Sequence, residues 1–321
     1  MGNYRIAVDT GGTFTDVIML DADNGSISTV KVPSTPANPD EAVIQGVLAM
    51  GVPLASLAFL GHGTTVAINT LVQRKGATVG LLTTRGFRDV LEIQRTNRPD
   101  MYNLFFRKPT PLVPRNLRVE IGERIMADGT VQSLLDFDEL RQATAALVAQ
   151  GIQALAICFL NSYINPVHEE MAAAYIRTHF PDLLVTASVE IAKEWREYER
   201  TSTAVLNAYL TSSVRRYLSR LDDEMQQEGY GGRVLITRSD GGLTLSRTAA
   251  QQPAVMLMSG PAGGVLGAAE YGRAAGFPNV ITFDIGGTTC DVSLIQDGQP
   301  LLVRDRLVDG YPVLAPFIDI Y

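Results

Sequence analysis

Residues 9–17 read Asp-Thr-Gly-Gly-Thr-Phe-Thr-Asp-Val, and residues 284–292 read Asp-Ile-Gly-Gly-Thr-Thr-Cys-Asp-Val. The two segments agree at six of nine positions, namely Asp9/Asp284, Gly11/Gly286, Gly12/Gly287, Thr13/Thr288, Asp16/Asp291 and Val17/Val292. An apolar run precedes and follows each copy, and each second run ends in a turn pair, Asn24-Gly25 or Asp297-Gly298. Apolar runs joined by such turn pairs predict β-hairpins. The chain therefore carries one hairpin unit twice, which predicts two similar half-domains that face each other.

The glycine pair at each hairpin tip predicts a loop that binds phosphate. A polyphosphate needs backbone N–H donors at close range, and glycine has no Cβ to block it and permits positive φ. The threonine hydroxyls add further donors. Two ordinary glycine-containing hairpins are the plain alternative, and the repetition argues against it. The predicted phosphate-binding residues are Gly11, Gly12, Thr13, Thr15, Asp16, Gly286, Gly287, Thr288, Thr289 and Asp291.

Asp9 and Asp284 end the first strand of each hairpin and are the predicted catalytic and metal-binding residues. Two carboxylates near a polyphosphate would repel it unless a cation lies between them. Mg²⁺ suits this position because it binds one or two carboxylates together with phosphate oxygens and water. Either aspartate could instead orient or deprotonate the attacking group, and the sequence does not assign which one. Asp16 and Asp291 would brace the loops or act on the metal indirectly.

Other nucleotide-binding motifs are absent from the sequence. No Gly-x-x-x-x-Gly-Lys-Ser/Thr segment occurs. Gly61-His62-Gly63 comes closest to a dinucleotide-binding Gly-x-Gly-x-x-Gly motif, but Val66 stands at its sixth position. The paired hairpin loops are therefore the main nucleotide signal in this chain.

Composition limits the class of protein. With 321 residues, 46% hydrophobic and 19% charged, the chain can form two domains with their own cores. A net charge of −7 without a basic run argues against nucleic acid or anionic membrane as partners. No apolar stretch is long enough for a membrane span, and residues 1–20 carry no targeting signal. Cys158 and Cys290 are far apart in predicted strands, so we expect no disulfide and a cytoplasmic location.

Predicted strands and helices alternate along the chain, which indicates an α/β fold with a mainly parallel core. Residues 96–116 contain four prolines and are predicted to form a loop. A long helix is predicted for residues 194–227, with its early charges paired i to i+3 or i+4. A helix rich in small residues starts near Ser259, with Pro261 in its first turn. We place a boundary near residues 188–200, which gives segments 1–190 and 191–321.

Several polar residues follow predicted strand ends and are candidates for the substrate cleft. They are His62, Thr64, Thr65, Ser239, Asp240 and Gly241. Each has a structural alternative: a histidine packed against the loop, threonines that cap a helix, and a plain turn at residues 239–241. His168 and His179 lie in a predicted helix without the convergent ligands of a metal site, so we expect them on a solvated face.

The paired Asp-x-Gly-Gly-Thr loops, with a helix of small residues before the second, resemble the actin-like ATPase superfamily, which has a ribonuclease H-like fold. More closely, the chain resembles the amino-terminal portion of the hydantoinase A/5-oxoprolinase family over essentially its whole length. The matching motifs are Gly63-Thr64-Thr65-Val66-Ala67-x-Asn69, Arg85 to Ile93, Pro111 to Arg115, Glu197 to Thr203, Asn207 to Leu210, Ser259 to Gly264 and the second phosphate loop. The resemblance implies two half-domains, each with a mixed sheet and a phosphate-binding hairpin.

The resemblance implies ATP- and Mg²⁺-dependent ring opening of a cyclic amide, such as a hydantoin or 5-oxoproline, through phosphorylation of the carbonyl oxygen. A lactam is a poor electrophile, and a phosphate in place of its oxygen is a good leaving group. The alternatives are an ATPase subunit of an acetone or acetophenone carboxylase, and an actin-like ATPase that remodels a partner protein. A second hydantoinase subunit or fused domain is the expected partner. Because family members continue with a glycine-rich segment that holds adenosine, we also expect the carboxyl-terminal part to be missing here.

Overall fold

The computed structural model of the chain describes residues 3–35, 38–97, 100–285 and 290–321. The chain forms two compact units, each assembled from stretches that are separated in sequence. Unit 1 comprises Met1–Gln73, Ser213–Arg304 and Pro316–Tyr321, and unit 2 comprises Arg74–Ser212 and Asp305–Ala315. The units are interleaved along the chain, and the division into segments 1–190 and 191–321 stays a prediction.

The strands and helices follow the predicted alternation, with ends that differ by a few residues from those expected. The strands are β1 Tyr4–Thr10, β2 Phe14–Asp21, β3 Ile27–Pro33, β4 Leu57–Thr64, β5 Val79–Thr84, β6 Arg118–Ile121, β7 Arg124–Ile125, β8 Val131–Ser133, β9 Ala154–Cys158, β10 Leu184–Ala187, β11 Val234–Thr237, β12 Leu243–Leu245, β13 Val280–Ile285, β14 Cys290–Gln296, β15 Gln299–Pro300, β16 Leu302–Val308 and β17 Tyr311–Ile318. The α-helices are α1 Pro39–Leu48, α2 Val66–Val72, α3 Val90–Ile93, α4 Phe137–Ala149, α5 Val167–His179, α6 Ser188–Ile191, α7 Glu197–Gln227, α8 Ser246–Ala249 and α9 Ser259–Ala274.

Unit 1 is built on a six-stranded mixed sheet with the order β12-β11-β4-β1-β2-β3. β4 is parallel to β1 and β11, whereas the β1–β2, β2–β3 and β11–β12 pairs are antiparallel. One face is apolar because Val8 of β1 and Val17 of β2 point into the core. Helix α1 packs on this face so closely that a Cβ at Gly46 would lie 2.5 Å from Val17 Cγ2. Since side chains alternate along a strand, Asp9 falls on the opposite face, which is open to solvent.

The second predicted hairpin is also part of unit 1. β13 and β14 pair antiparallel with Asp284 opposite Asp291, which repeats the pairing of Asp9 with Asp16 in the first hairpin. β15 follows as a third strand, as β3 does in the first copy. The repeated hairpin unit is therefore present as predicted. Apolar residues of α9 pack beside it in a shared core, which contains Ala262, Val265, Ala269, Ile295, Ile318 and Ile320.

Unit 2 contains a four-stranded parallel sheet with the order β10-β9-β5-β6. β5 and β9 are buried along their whole length, as expected for parallel strands covered on both faces. The predicted parallel core is confirmed here, while the sheet of unit 1 is mixed. Strands β7 and β8 flank the turn at Gly129, which has a φ of +85°.

Two predictions about charged residues in unit 2 were wrong. His168 is buried, not solvated, because its Nδ1 lies 2.7 Å from the buried Glu123 carboxylate, while His179 is exposed as expected. The two arginines at the start of the predicted helix 194–227 form ion pairs with residues outside it. Arg200 is fully buried and pairs with Glu169 at 3.2 Å, and Arg196 pairs with Asp305 at 2.5 Å. These pairs join distant elements, which local spacing does not encode.

Cys158 is buried in β9 and Cys290 is exposed at the start of β14, and neither forms a disulfide. Within the described ranges, no helix has both the length and the apolar character needed to cross a bilayer.

Candidate active site

The first hairpin loop is closed by backbone bonds and tied to the chain that follows β3. The Gly11 N–H donates to Phe14 O at 3.0 Å, which makes the turn tight. The Ser34 N–H donates to Thr13 O at 2.9 Å, and the Ser34 hydroxyl donates to Gly11 O at 2.8 Å. These bonds use backbone carbonyls of the loop and leave its outer side open to a ligand.

The two glycines leave the tip of this loop without side chains and do so without positive φ. Neither Gly11 nor Gly12 has a positive φ, so the predicted use of that conformational freedom is not needed. A Cβ at Gly11 would lie 3.2 Å from Phe14 O, whereas a Cβ at Gly12 would meet no atom within 4 Å. The space in front of Gly12 is therefore free for a ligand to approach its backbone.

The two threonines of this loop lie in different environments. Thr13 is exposed, in keeping with its predicted role as a hydroxyl donor. Thr15 is buried, and its Oγ1 lies 3.1 Å from Ser34 Oγ. Since alternation turns Thr15 away from Asp16, its hydroxyl braces the loop from behind instead of facing a ligand.

Asp9 lies at the edge of a cavity of about 700 Å³ on the open face of the unit 1 sheet, which we call the cleft. The cleft has little side-chain bulk because glycines form much of its wall, namely Gly61, Gly63, Gly260, Gly263 and Gly264. A Cβ at Gly63 would lie 3.1 Å from Asp9 Oδ1, and a Cβ at Gly260 would lie 3.4 Å from the same atom. The Asp9 carboxylate is thus fitted between the backbone of β4 and the first turn of α9.

Ser259 fastens the start of α9 to the end of β4. Its hydroxyl donates to Thr64 O at 2.8 Å and accepts from the Thr64 N–H at 3.2 Å. The buried Ser239 supports the same turn, since its Oγ accepts from the Met258 N–H at 3.0 Å. These bonds keep the small residues of α9 beside Asp9.

Asp16 and Lys31 face the cleft beside Asp9. Asp16 is opposite Asp9 in the β1–β2 ladder and opposite Lys31 in the β2–β3 ladder. The Lys31 ammonium donates to both Asp16 oxygens, at 2.8 and 3.0 Å. Three charged side chains therefore line up across three neighbouring strands.

The surroundings of Asp9 disfavour its ionised form. Partial desolvation, followed by repulsion from the Asp16 and Asp284 carboxylates, raises the pKa of Asp9 above its ordinary value. Asp284 belongs to the second hairpin, which therefore lies close enough to Asp9 to affect it. A carboxylate in such a position gains stability from a nearby cation.

A second cavity, of about 390 Å³, adjoins the second hairpin. Asp284 and Asp291 line it, together with Pro261 and Gly264 of α9. Gly264 lines both cavities, so the first turns of α9 border each of them. The remaining predicted phosphate-binding residues of this copy, Gly286, Gly287, Thr288 and Thr289, lie outside the described residues, and their role stays a prediction.

His62 does not face the cleft. It is buried on the other side of β4 from Gly61 and Gly63, with Nδ1 3.2 Å from Val8 O and Nε2 2.5 Å from the Tyr217 hydroxyl. Burial lowers the pKa of His62 to about 4, so the ring is neutral at physiological pH. Its position corresponds to the packed alternative and not to contact with a substrate in the cleft.

Thr64 and Thr65 lie between the cleft strand β4 and helix α2. Thr64 is buried and its Oγ1 accepts from the Val66 N–H at 3.2 Å, which satisfies a donor at the helix start. The Thr65 hydroxyl donates to Thr10 O at 3.3 Å and so reaches the first hairpin. Both contacts are structural.

Residues 239–241 form the turn between β11 and β12. The Asp240 carboxylate accepts from Arg238 and from the Gly242 N–H, the latter at 2.9 Å, and Gly241 has a φ of +83°. These bonds are those of a plain turn, while the cleft is lined nearby by Thr237 and Leu243. The turn thus positions the cleft wall without contributing its polar groups to it.

The donor set suits Mg²⁺ better than a cation held by protein alone. In the described ranges, no three acidic, histidine or cysteine side chains converge as a ready metal site. Desolvation, and after it the nearby Asp16 and Asp284 carboxylates, nevertheless raise the pKa of Asp9. Mg²⁺ binds through one or two carboxylates and completes its shell with phosphate oxygens and water, so Asp9 and Asp284 fit it.

Sequence reasoning missed Lys31, Gly63, Ser259 and Gly260 as parts of this site. The alternation of β3 gave a signal for Lys31, because its phase puts Lys31 on the face of Asp16. The other three fall in the motifs Gly63 to Asn69 and Ser259 to Gly264, but strand and helix patterns alone do not place them beside Asp9, which they approach through the pairing of β4 with β1 and the packing of α9.

Known proteins resemble the chain over its whole length. Residues 5–180 match the family described as the hydantoinase/oxoprolinase N-terminal region, and residues 200–321 match that described as hydantoinase/oxoprolinase. An uncharacterized protein of Methanocaldococcus jannaschii is 37% identical, with 99% of this chain and 49% of the relative covered. The caprolactamase subunit alpha of Pseudomonas jessenii is 36% identical, with coverages of 99% and 47%.

Solved structures agree with these relationships. The crystal structure of the ATP-dependent caprolactamase from Pseudomonas jessenii superposes with a TM-score of 0.90 at 35% identity, covering 99% of this chain and 47% of that one. Nucleotide-free acetone carboxylase, from a study of ATP-dependent acetone carboxylation, gives 0.88 at 29% identity, with coverages of 100% and 48%. The chain spans about half the length of these relatives. The predicted actin-like ATPase fold is confirmed, and the chain belongs to the hydantoinase/oxoprolinase family.

Proposed function

We propose that this chain is the nucleotide-binding part of an enzyme that uses ATP and Mg²⁺ to open a cyclic amide, such as a hydantoin or 5-oxoproline. In this reaction the terminal phosphoryl group of ATP passes to the carbonyl oxygen of the substrate and ADP leaves. Water then adds to the activated carbon, the ring C–N bond breaks with the nitrogen taking a proton, and hydrolysis of the resulting acyl phosphate releases phosphate. The observation that carries the proposal is the repeated aspartate pair, Asp9 with Asp16 and Asp284 with Asp291, in one register within one unit.

The residues of the cleft support distinct roles in binding. The open backbone at Gly12 and the exposed Thr13 hydroxyl would donate to phosphate oxygens. Asp9 and Asp284 would hold Mg²⁺, which neutralises charge on the phosphates. The raised pKa of Asp9 is consistent with this role, because a divalent cation would replace the repulsion between the carboxylates with attraction.

The caprolactamase relative supports an amide as the substrate, since its name describes a lactam hydrolase. The likeness to acetone carboxylase keeps a second function open, in which the same ATP site activates a ketone for carboxylation. An actin-like ATPase that remodels a partner protein remains a third alternative, with no specific observation in its favour. The subunit name of the caprolactamase relative also supports a second hydantoinase subunit or fused domain as partner.

The test is phosphate release from Mg-ATP by the complete gene product, with its partner subunit where one exists. Hydantoins, 5-oxoproline, caprolactam and simple ketones with bicarbonate are supplied in turn. Asp9→Asn removes the Asp9 carboxylate from the cleft. Asp23→Asn is the matched control, because it removes an exposed carboxylate at the far turn of the same hairpin.

Stimulation by a lactam or hydantoin that survives in Asp23→Asn and is lost in Asp9→Asn supports the proposal. Stimulation by a ketone alone, and only with bicarbonate, would assign the chain to the carboxylase alternative. If the wild-type protein binds ATP but none of these compounds stimulates its phosphate release, both metabolic functions are contradicted.

A further inference from the structure

Lys31 is a charged residue of the cleft that has no role in the proposed binding of phosphate and Mg²⁺. It lies on β3, two strands from Asp9, and the ladder registers put Asp9, Asp16 and Lys31 in one row across the sheet. Its side chain is about half exposed, at 56%, and lines the cleft. The Lys31 ammonium can therefore reach a ligand that enters the cleft.

The contacts of Lys31 hold its ammonium near the first phosphate loop. Its Nζ donates to both oxygens of Asp16 and lies 5.3 Å from the centre of the Phe14 ring. Phe14 is the residue whose carbonyl closes the loop at Gly11. The ammonium thus sits beside the loop while its flexible stem leaves it free to turn.

The charges around the cleft make this cation important. Among the described residues that line the cleft, Lys31 is the one basic side chain, against Asp9 and Asp16. A polyphosphate that approaches Asp9 therefore meets excess negative charge, and the lysine is the protein group that can offset it.

The Lys31–Asp16 pair is also easy to break. Both side chains are 56% exposed, and ion pairs in water contribute little net stability. Phosphate oxygens carry more charge than one carboxylate, so they can take the ammonium from Asp16. Asp16 would then be left with a free carboxylate beside Asp9, where a cation is expected.

We propose that Lys31 binds a terminal phosphate of the nucleotide, and that Asp16 holds the Lys31 ammonium in place until the phosphate replaces it. This inference rests on the proposed function, since it assigns a new residue and an exchange of partners to the same cleft. The exchange makes Lys31 a phosphate ligand and Asp16 a carboxylate that is released toward the metal when the nucleotide binds.

The experiment measures dissociation constants by calorimetry for the complete gene product with two probes, Mg-ATP and metal-free inorganic tripolyphosphate. The variants are Lys31→Met, Lys31→Arg and Asp16→Asn. Arg5→Met is the matched control, because Arg5 lies on the same sheet face but lines a different cavity. Thermal unfolding of each variant verifies that it is folded.

Loss of a charged hydrogen bond to phosphate is expected to weaken binding of both probes to Lys31→Met by about tenfold or more. Lys31→Arg and Arg5→Met should bind nearly as the wild type does. Asp16→Asn should bind metal-free tripolyphosphate more tightly than the wild type, since its lysine no longer has a competing partner. A merely structural brace between β2 and β3 would not produce this opposite sign.

Two results would overturn the inference. Equal affinities for the wild type and Lys31→Met, or equal weakening in Lys31→Met and Asp16→Asn, would remove Lys31 from the phosphate site while leaving the ATPase proposal intact. Failure of the wild type to bind either probe would overturn the inference and the proposed function together.

Discussion

The imidazole of His62 joins Tyr217 to the strand that carries Asp9. Nδ1 donates to Val8 O at 3.2 Å, so Nε2 must be the acceptor for the Tyr217 hydroxyl at 2.5 Å. Val8 immediately precedes Asp9, and Tyr217 lies on α7. A buried, neutral histidine thus connects the long helix to the base of the first hairpin loop.

The His62–Tyr217 pair should make stability depend on acid. The pKa of His62 falls from 6.5 to about 4 on burial, so between these values the unfolded chain binds a proton that the folded protein does not. Stability is therefore fully present above pH 6.5 and is lost as pH falls toward 4, by up to about 3 kcal/mol at the lower end. Urea unfolding of the wild type and of Tyr217→Phe, repeated between pH 4.5 and 8, measures this loss of free energy of unfolding. His62→Gln should remove most of the pH dependence that His62 contributes. If the free energy of unfolding of His62→Gln depends on pH as steeply as that of the wild type, the low pKa assigned to His62 is contradicted.

Asp9→Asn should separate stability from function. Because the pKa of Asp9 is raised in the folded protein, its ionised form is disfavoured there, and its contribution to stability declines as pH rises. We expect the neutral variant to melt at a higher temperature than the ligand-free wild type at pH 7, while ATP-dependent turnover falls by about a hundredfold or more. Calorimetric melting with Asp23→Asn alongside checks this. If Asp9→Asn melts at a lower temperature than the wild type while Asp23→Asn does not, the repulsion inferred between the carboxylates is contradicted.

Gly63→Ala should impair the site through a single methyl group. The new Cβ would lie 3.1 Å from Asp9 Oδ1, 3.6 Å from Gly260 Cα and 3.7 Å from Ser259 O, so the Asp9 carboxylate must shift to make room for it. We expect turnover to fall by about tenfold, since small displacements of catalytic groups are costly. Gly267→Ala in α9 is the control, because its Cβ meets nothing within 4 Å, and it should leave turnover unchanged and raise stability by up to about 1 kcal/mol. Equal activity in both variants would mean that Asp9 is not confined by this wall.

Glu169→Gln should destabilise unit 2 strongly. Glu169 and Arg200 are both fully buried, and the carboxylate also accepts from Ser188 at 2.8 Å and from the Phe159 N–H at 2.7 Å. Removing one charge leaves Arg200 buried without its counter-ion, which typically costs about 3–5 kcal/mol. Glu190→Gln breaks the exposed pair with Arg177 and should cost less than about 1 kcal/mol. Denaturant unfolding compares the two, and similar losses would contradict the importance given to burial.

Local sequence was sufficient to predict both hairpins. Asp9, the glycine pair and Asp16 lie within eight consecutive residues, so strand alternation and turn chemistry alone place both carboxylates on one face. The same argument applied to residues 284–291 predicted the second pair, and its register is the same in the structure. Element types along the chain were predicted for the same reason, because apolar periodicity is a local property.

The tertiary structure alone decided which residues complete the site. Gly63 and Gly260 come from elements far from Asp9 in sequence, and they approach its carboxylate only because β4 pairs with β1 and α9 packs beside them. It also decided that His62 and His168 are buried, since each depends on a distant partner, Tyr217 or Glu123. Periodicity fixes the face on which a side chain lies, but only long-range packing determines what that face meets.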